Sequence, residues 1–322
     1  MTAVQQAIDK SGDIAQALLT HYDAHARTLP WRAPPGQGVA NPYHVWLSEI
    51  MLQQTTVAAV GAYFQKFTQM WPDFAALAAA DDADVMAAWA GLGYYARARN
   101  LLKCARVVVA EHDGRLPETE AALLKLPGIG PYTAAAISAI AFGQRAVVVD
   151  ANVERVISRL FAISTPLPQS KPLIRAATDS ITPDARAGDF AQAMMDLGAG
   201  ICSVRAPSCL FCPFVFACDA ARLGHPETYP AKTPKAAKPQ RTGTVYWITR
   251  DEHVWLVRRN DKGLLAGMRA LPDDQWTARL DGHATPPAPA NWQKLPVHVA
   301  HVFTHFSLRL DIAVTSWPLD AD

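Results

Sequence analysis

The chain reads as a mainly α protein with a smaller α/β domain at its C-terminal end. Three observations predict this. Up to about residue 225 there is almost no period-two alternation of apolar residues, the pattern a half-buried strand would show. The stretch 122–157, ALLKLPGIGPYTAAAISAIAFGQRAVVVDANVERVI, lays out a helix, a glycine turn, a second helix, a short apolar run and an aspartate opening a third helix. After a proline- and lysine-rich segment, LGHPETYPAKTPKAAKPQRTG (223–243), β-branched and aromatic residues take over.

The length, 322 residues, allows two domains with sizeable cores. Half of the residues are hydrophobic and 18 % are charged, the balance of a soluble globular protein. The N-terminus carries Asp9 and Asp13 and lacks a signal peptide's apolar core, and no apolar run is long enough to span a membrane; a cytoplasmic protein is expected. A net charge of +1 gives no reason to propose nucleic-acid binding. Local distribution does: between Asp84 and Glu111 there is no acid, whereas Arg97, Arg99, Lys103 and Arg106 fall there, the last three at helical spacing. A solvated helix face explains that stripe equally well.

In chain order, residues 6–26 read as an amphipathic helix, followed by a loop through Leu29-Pro30-Trp31-Arg32 to Gly38. Asn41-Pro42 starts a mostly apolar helix that breaks around Gln53-Gln54-Thr55. Glu49 lies inside it with no lysine or arginine nearby in sequence, where desolvation would raise its pKa; alone, it would be placed on the wet side of the helix. Residues 74–110 give two further helices around the turn Ala90-Gly91-Leu92-Gly93-Tyr94-Tyr95, whose tyrosines suit either stacking on bases or core packing. In Leu126-Pro127-Gly128-Ile129-Gly130-Pro131 the preceding helix ends near Leu126 and Pro131 suits the first turn of the next. Backbone N–H groups around such a turn suit phosphate oxygens, without reading sequence. Helices continue over roughly 170–201, punctuated by Pro166, Pro168 and Pro183; TVYWITR, HVWLVRR and HFSLRLDIAVT then read as strands.

Four of the five cysteines crowd into Cys202-x6-Cys209-x2-Cys212-x5-Cys218. This is metal-site crowding and not a disulfide framework. Zinc modules usually offer two separated Cys-x2-Cys pairs; only one exists here, which favours an iron-sulfur cluster and leaves zinc as the alternative. Cys104 is expected to be a buried core thiol.

The hairpin LPGIGPYT, the aspartate in VVVDANVERV and the cysteine spacing together resemble the helix-hairpin-helix DNA glycosylases of the endonuclease III superfamily. Within it, SEIMLQQT, GLGYYARARNL and the C-terminal extension look like the adenine DNA glycosylases, which remove adenine mispaired with 8-oxoguanine. The resemblance runs through almost the whole chain, with its motifs in order. It implies a mainly α helix-hairpin-helix glycosylase region over 1–225 with an iron-sulfur cluster loop. A six-helix subdomain would span about 37–143, and a cluster subdomain would combine residues 1–36 with 144–225. A linker (226–243) and an α/β Nudix-like 8-oxoguanine recognition domain (244–322) would follow. The cofactor implied is a 4Fe-4S cluster on Cys202, Cys209, Cys212 and Cys218. The implied partner is double-stranded DNA with an adenine:8-oxoguanine or adenine:guanine mispair, engaged by a monomer in a bacterial-type nucleoid.

By the same resemblance Glu49 matches the residue that protonates adenine N7, and Asp150 the one that stabilises or briefly bonds the sugar cation. This is the two-carboxylate division of labour that glycosidic cleavage needs. Asp150 also suits a plain helix N-cap. Asn152 matches an asparagine that holds these carboxylates. Tyr132 stands where strand-cleaving relatives carry a Schiff-base lysine, so base removal without strand cleavage is expected. Gln54 and Tyr94 match wedges that support base extrusion, with Gln53, Thr55 and Leu92 alongside and Gly128 and Gly130 on the DNA backbone. Phe303, Thr304 and His305 match a Phe-Ser-His lesion-recognition loop, with threonine replacing serine. Arg269-Ala270-Leu271 also departs from the usual pattern, as does Ala151 in place of glycine. The acidic metal-binding helix of Nudix hydrolases is not visible. Two rivals are a thymine-mismatch glycosylase of the same superfamily and a catalytically silent DNA-damage binding protein; the pair Glu49 and Asp150 disfavours the second, since binding needs neither.

Overall fold

Side-chain caps mark several of the helix starts in the first two-thirds of the chain. The computed structural model describes residues 11–233, 237–259, 264, 267–303 and 305–317. Helix α1 (Ser11–His25) falls within the expected 6–26, of which residues 6–10 lie outside the described residues. In α2 (Pro42–Leu52) the Asn41 side chain accepts from the Tyr43 and His44 amides, and Pro42 fills a first-turn position that needs no amide. Thr56, Asp73 and Asp81 cap α3 (Val57–Met70), α4 (Phe74–Ala78) and α5 (Asp82–Trp89). Then come α6 (Ala96–Glu111) and α7 (Glu120–Leu123), the latter capped by Thr119. Residues 74–110, expected as two helices, thus start three, because Asp81 caps a new beginning two residues after Ala79 closes α4. The series continues with α8 (Pro131–Phe142), α9 (Ala151–Leu160), α10 (Lys171–Ile181), α11 (Ala187–Gly200) and the short α12 (Asp219–Arg222).

The chain divides into two compact units, Met1–Thr233 and Pro234–Asp322. This boundary falls within 226–243, the stretch expected as a linker. Residues on the near side pack onto the first unit, where the Leu167 amide donates to Ala231 at 2.9 Å and Leu167 bridges Lys232.

Two cores build the first unit. One is gathered around Trp46, Phe67 and Trp89 from α2 to α8, with Trp31 reaching in from the loop before α2. The other joins α1, α9, α10 and α11 around Leu18, Ile157 and Phe190, and takes in Phe214 from the cysteine loop. Helix α11 packs on both α8 and α9 and so bridges the cores. Its approach to α9 needs a glycine: a Cβ on Gly198 would stand 2.6 Å from the Asn152 Cβ. Among the described residues no helix is long and apolar enough to cross a membrane.

The second unit is built on a mixed sheet ordered β2-β1-β6-β5. Its strands are β1 (Gln240–Arg250), β2 (His253–Val254), β5 (Gln293–Val302) and β6 (Ser307–Ser316); a separate pair joins β3 (Val257–Arg258) to β4 (Arg269–Ala270). Strands β1 and β6 run parallel, with Tyr246 opposite Ala313. The segment HVWLVRR, expected as one strand, splits because its two halves find different partners, β1 and β4. Strand β5 was not read from the sequence: Pro296 interrupts it and the pairing with β6 shifts register between Lys294 and His298. The expected α/β character is met only in its strands, as no helix lies among this unit's described residues.

Candidate active site

Helix α2 carries Glu49 inward, where only 6 % of the residue is exposed. Burial pushes its carboxyl from an ordinary 4.5 to about 7; the Tyr132 hydroxyl, donating to it, and the Arg32 guanidinium oppose the rise, while the negative Asp150 reinforces it. The reciprocal effect falls on Tyr132, whose phenol is held well above its ordinary value by burial and by the charges of Glu49 and Asp150. The Tyr132 Oη also lies 3.5 Å from the Met195 Sδ of α11. Glu49, Tyr132 and Asp150, from α2, α8 and the start of α9, therefore share one site where the two cores meet.

Asp150 is the N-cap of α9. Its Oδ1 accepts from the Val153 amide at 2.7 Å and its Oδ2 from the Asn152 Nδ2 at 2.8 Å. Both oxygens are thus hydrogen-bonded at the N-terminus of a helix. Asn152 is itself held: Arg155 Nη2 donates to its Oδ1 at 2.9 Å and to the Gly198 carbonyl at 2.6 Å, while Arg155 Nε reaches the Cys202 carbonyl at 2.8 Å.

A buried ion-pair group that sequence reasoning did not find backs the site. Arg32 forks onto Asp196 at 2.7 and 2.9 Å, and Arg27 Nε adds a bond at 2.6 Å. Burial pushes the Asp196 carboxyl up, but the two arginines win and hold it below its ordinary value. The LPWR loop and the aspartate are 164 positions apart, so no local pattern signals the pair.

The hairpin before α8 forms as its residues require. Gly128 adopts φ +77°, and a Cβ there would stand 2.8 Å from the Asn100 Cβ of α6. Gly130 is the N-cap of α8 and no side chain caps that end. The amides of the first turn are thereby left to an external acceptor. On the neighbouring loops Gln54 and Tyr94 both take left-handed backbone, at φ +57° and +49°, and Tyr94 is 55 % exposed. Gln53 Nε2 donates to Thr133 Oγ1 at 3.3 Å, and Thr55 Oγ1 donates to the Gln53 carbonyl at 3.3 Å. Leu92, expected at the DNA surface, is instead 7 % exposed, because this apolar side chain joins the first core beneath the loop. Of the cationic stripe, Arg99 and Lys103 are exposed, whereas Arg106 is taken up by the Ala78 and Ala80 carbonyls and Asp82.

Cys202, Cys209, Cys212 and Cys218 line one pocket behind α9 and α11, floored by Val156, Leu160, Leu197 and Phe214. Arg159, 2 % exposed, reaches into it: Nη1 donates to the Cys202 Sγ at 3.3 Å and to the Ser203 carbonyl at 2.6 Å. Among the described residues no three His, Cys, Asp or Glu side chains stand close enough to hold a single ion. In the second unit, Phe303 stacks on Phe306 at 4.7 Å in the turn between β5 and β6, and His305 is exposed; Thr304 lies outside the described residues.

Residues 47–183 match the model of the HhH-GPD superfamily base excision DNA repair proteins. The chain is 38 % identical to the adenine DNA glycosylase of Arabidopsis thaliana over 80 % of its own length and 47 % of the relative's. It is 34 % identical to that of Homo sapiens over 92 % of the chain and 65 % of the relative. With that of Buchnera aphidicola (strain APS) it shares 34 % over 80 % of the chain and 73 % of the relative. The chain thus spans about half of the Arabidopsis protein and under two-thirds of the human one. A thermostable thymine-DNA glycosylase superposes with a TM-score of 0.59 at 30 % identity, covering 67 % of this chain and 98 % of that one. A non-covalent endonuclease III–DNA complex matches the fold with a TM-score of 0.56 at 22 % identity, over 70 % of this chain and 98 % of that one. By its hairpin, its paired carboxylates and its relatives, the chain belongs to the adenine DNA glycosylase family of the HhH-GPD superfamily.

Proposed function

We propose that the protein removes adenine mispaired with 8-oxoguanine or guanine in duplex DNA, by hydrolysis of the N-glycosidic bond and without strand cleavage. One observation carries the reading: a desolvated Glu49, raised to about 7, shares a site with an Asp150 whose oxygens are both hydrogen-bonded at a helix N-terminus. Glu49 holds the proton that passes to adenine N7, which makes the base a neutral leaving group. Asp150 supplies negative charge beside the oxocarbenium-like sugar, to which water adds. Tyr132 provides no amine, so no imine with the sugar forms. Gly128, Gly130 and the uncapped first turn of α8 hold a phosphate while Gln54 and Tyr94 keep the base out of the stack.

Cys202, Cys209, Cys212 and Cys218 would hold a 4Fe-4S cluster, which when bound would supply a covalent brace for the 202–218 loop. The donor set fits: four thiols line one apolar pocket. The second unit is read as the Nudix-like lesion reader, supported by its mixed sheet and the aromatic turn at Phe303. Comparing Thr304→Ser with the parent on 8-oxoguanine and guanine duplexes tests that assignment.

Single-turnover excision on duplexes with adenine opposite 8-oxoguanine, adenine opposite guanine and thymine opposite guanine tests the whole. Release of adenine from the first two and not of thymine from the third is expected. Thymine release without adenine release would hand the function to the thymine-mismatch rival, and no release at all to a DNA-binding protein. Freshly purified protein should be brown and contain iron and sulfide; stoichiometric zinc in their place would overturn the cluster.

A further inference from the structure

Of the cations on α6, Arg97 turns inward and ends among carbonyls. Its Nη1 donates to the Ile50 and Met51 carbonyls at 3.0 and 2.9 Å, both in the last turn of the helix that carries Glu49. Its Nη2 donates to Thr55 Oγ1 at 3.2 Å and to the Leu92 carbonyl at 3.1 Å, with Gly93 at 3.4 Å. One guanidinium thus joins the Gln53–Thr55 turn to the Gly91–Gly93 turn, whose residues are some 40 positions apart in sequence. The same group lies 5.2 Å from the Trp89 ring and 5.5 Å from the Tyr94 ring, a cation set against both aromatics. Gln54 and Tyr94, the exposed residues of these turns, both sit in left-handed backbone that an ordinary side chain adopts only when its surroundings impose it.

We propose that Arg97 is a positioning residue that locks the two turns into one rigid wedge, so that Gln54 and Tyr94 enter the duplex together and the base leaves the stack beside Glu49. The inference rests on the reading of those two residues as wedges. A lysine does not replace it, because its one nitrogen cannot stand at both the Nη1 position against the α2 carbonyls and the Nη2 position between Thr55 Oγ1 and the Leu92 carbonyl. The last-turn carbonyls of α2 have no partner within their own helix, so Arg97 also closes that helix at its DNA-facing end.

The test places 2-aminopurine at the target position opposite 8-oxoguanine and reads its fluorescence, which rises when the base leaves the stack, in an Asp150→Asn background whose excision is slow on the time of the measurement. Arg97→Gln and Arg97→Lys should each reduce the rise about five-fold or more, while binding to a duplex with an abasic site at that position changes less than about two-fold. Thermal unfolding of each variant checks that the fold is kept. If Arg97→Gln does not fold, Thr55→Val, which cuts one arm of the fork and leaves the arginine, should still lower the rise at least about two-fold. An unchanged rise, full rescue by lysine, or equal losses on the abasic duplex would overturn the proposal. A parent that shows no rise at all brings down the extrusion reading itself.

Discussion

Glu49 and Asp150 bear the same functional group in opposite surroundings. Glu49 stands inside a helix, 6 % exposed; burial and its negative neighbour favour the neutral acid, and the Tyr132 phenol and the Arg32 guanidinium only partly offset them. Asp150 stands before a helix, with an amide and a carboxamide donating to its two oxygens. The difference shows how one chain places the same carboxyl group in two unlike environments within one site. Under the proposed function, desolvation keeps the proton on Glu49 while Asp150 contributes the negative charge, so no exotic residue is needed.

Removing the charge from the second partner should break the pairing most. Asp150→Asn keeps the shape and a cap-capable oxygen but deletes the negative charge, and single-turnover excision should fall roughly 10²- to 10³-fold, the scale of losing one electrostatic stabiliser. Binding to an adenine:8-oxoguanine duplex should be retained. An unimpaired rate would remove Asp150 from the proposed role. Glu49→Gln should lose a comparable factor, since glutamine has no proton to give.

The same contrast explains how far the sequence could be read. Local signals told the truth: Asn41-Pro42 starts a helix, Gly130-Pro131 starts another, and Asp150 caps a third, because caps act within one turn. Glu49 proved buried, where its neighbours alone would have put it on the wet side of its helix; only the company of the other motifs pointed inward. What stayed hidden is long-range. The fork of Arg32 on Asp196, the reach of Arg97 to Ile50 and the bond from Arg155 to the Cys202 carbonyl each join distant segments. Arginine in sequence looks the same whether it faces phosphate or a carbonyl cage, and Arg106 shows the error this permits. Strand β5 was missed for a related reason: its pairing with β6, and not its own composition, makes it a strand.

A second, smaller effect sharpens the contrast through pH. Because the folded state raises the Glu49 carboxyl from 4.5 to about 7, its neutral form favours folding below pH 4.5, and that advantage is lost as pH rises through about 7. Glu49→Gln removes the burial of a charge. The variant should gain on the parent between those values by an amount on the order of 3 kcal/mol, read as the difference in denaturant midpoints near pH 5 and pH 8. Excision by the parent should be flat below about pH 7 and decline above it as Glu49 loses its proton. A stability difference that does not change with pH would mean that Glu49 is not desolvated.

The smallest effect separates the two jobs of Asp150. As a cap it accepts from the Val153 amide at 2.7 Å, a bond that asparagine's oxygen can reproduce and alanine cannot. Asp150→Ala should therefore unfold at lower denaturant than Asp150→Asn by about 1 kcal/mol, the usual worth of an N-cap. Both variants leave Asn152 Nδ2 without its acceptor, because asparagine's one oxygen goes to the Val153 amide, so that loss cancels in the comparison. Both variants lack the charge, so their excision rates should fall together. If instead asparagine excised far faster than alanine, the position of the helix start, and not the negative charge, would be what Asp150 contributes.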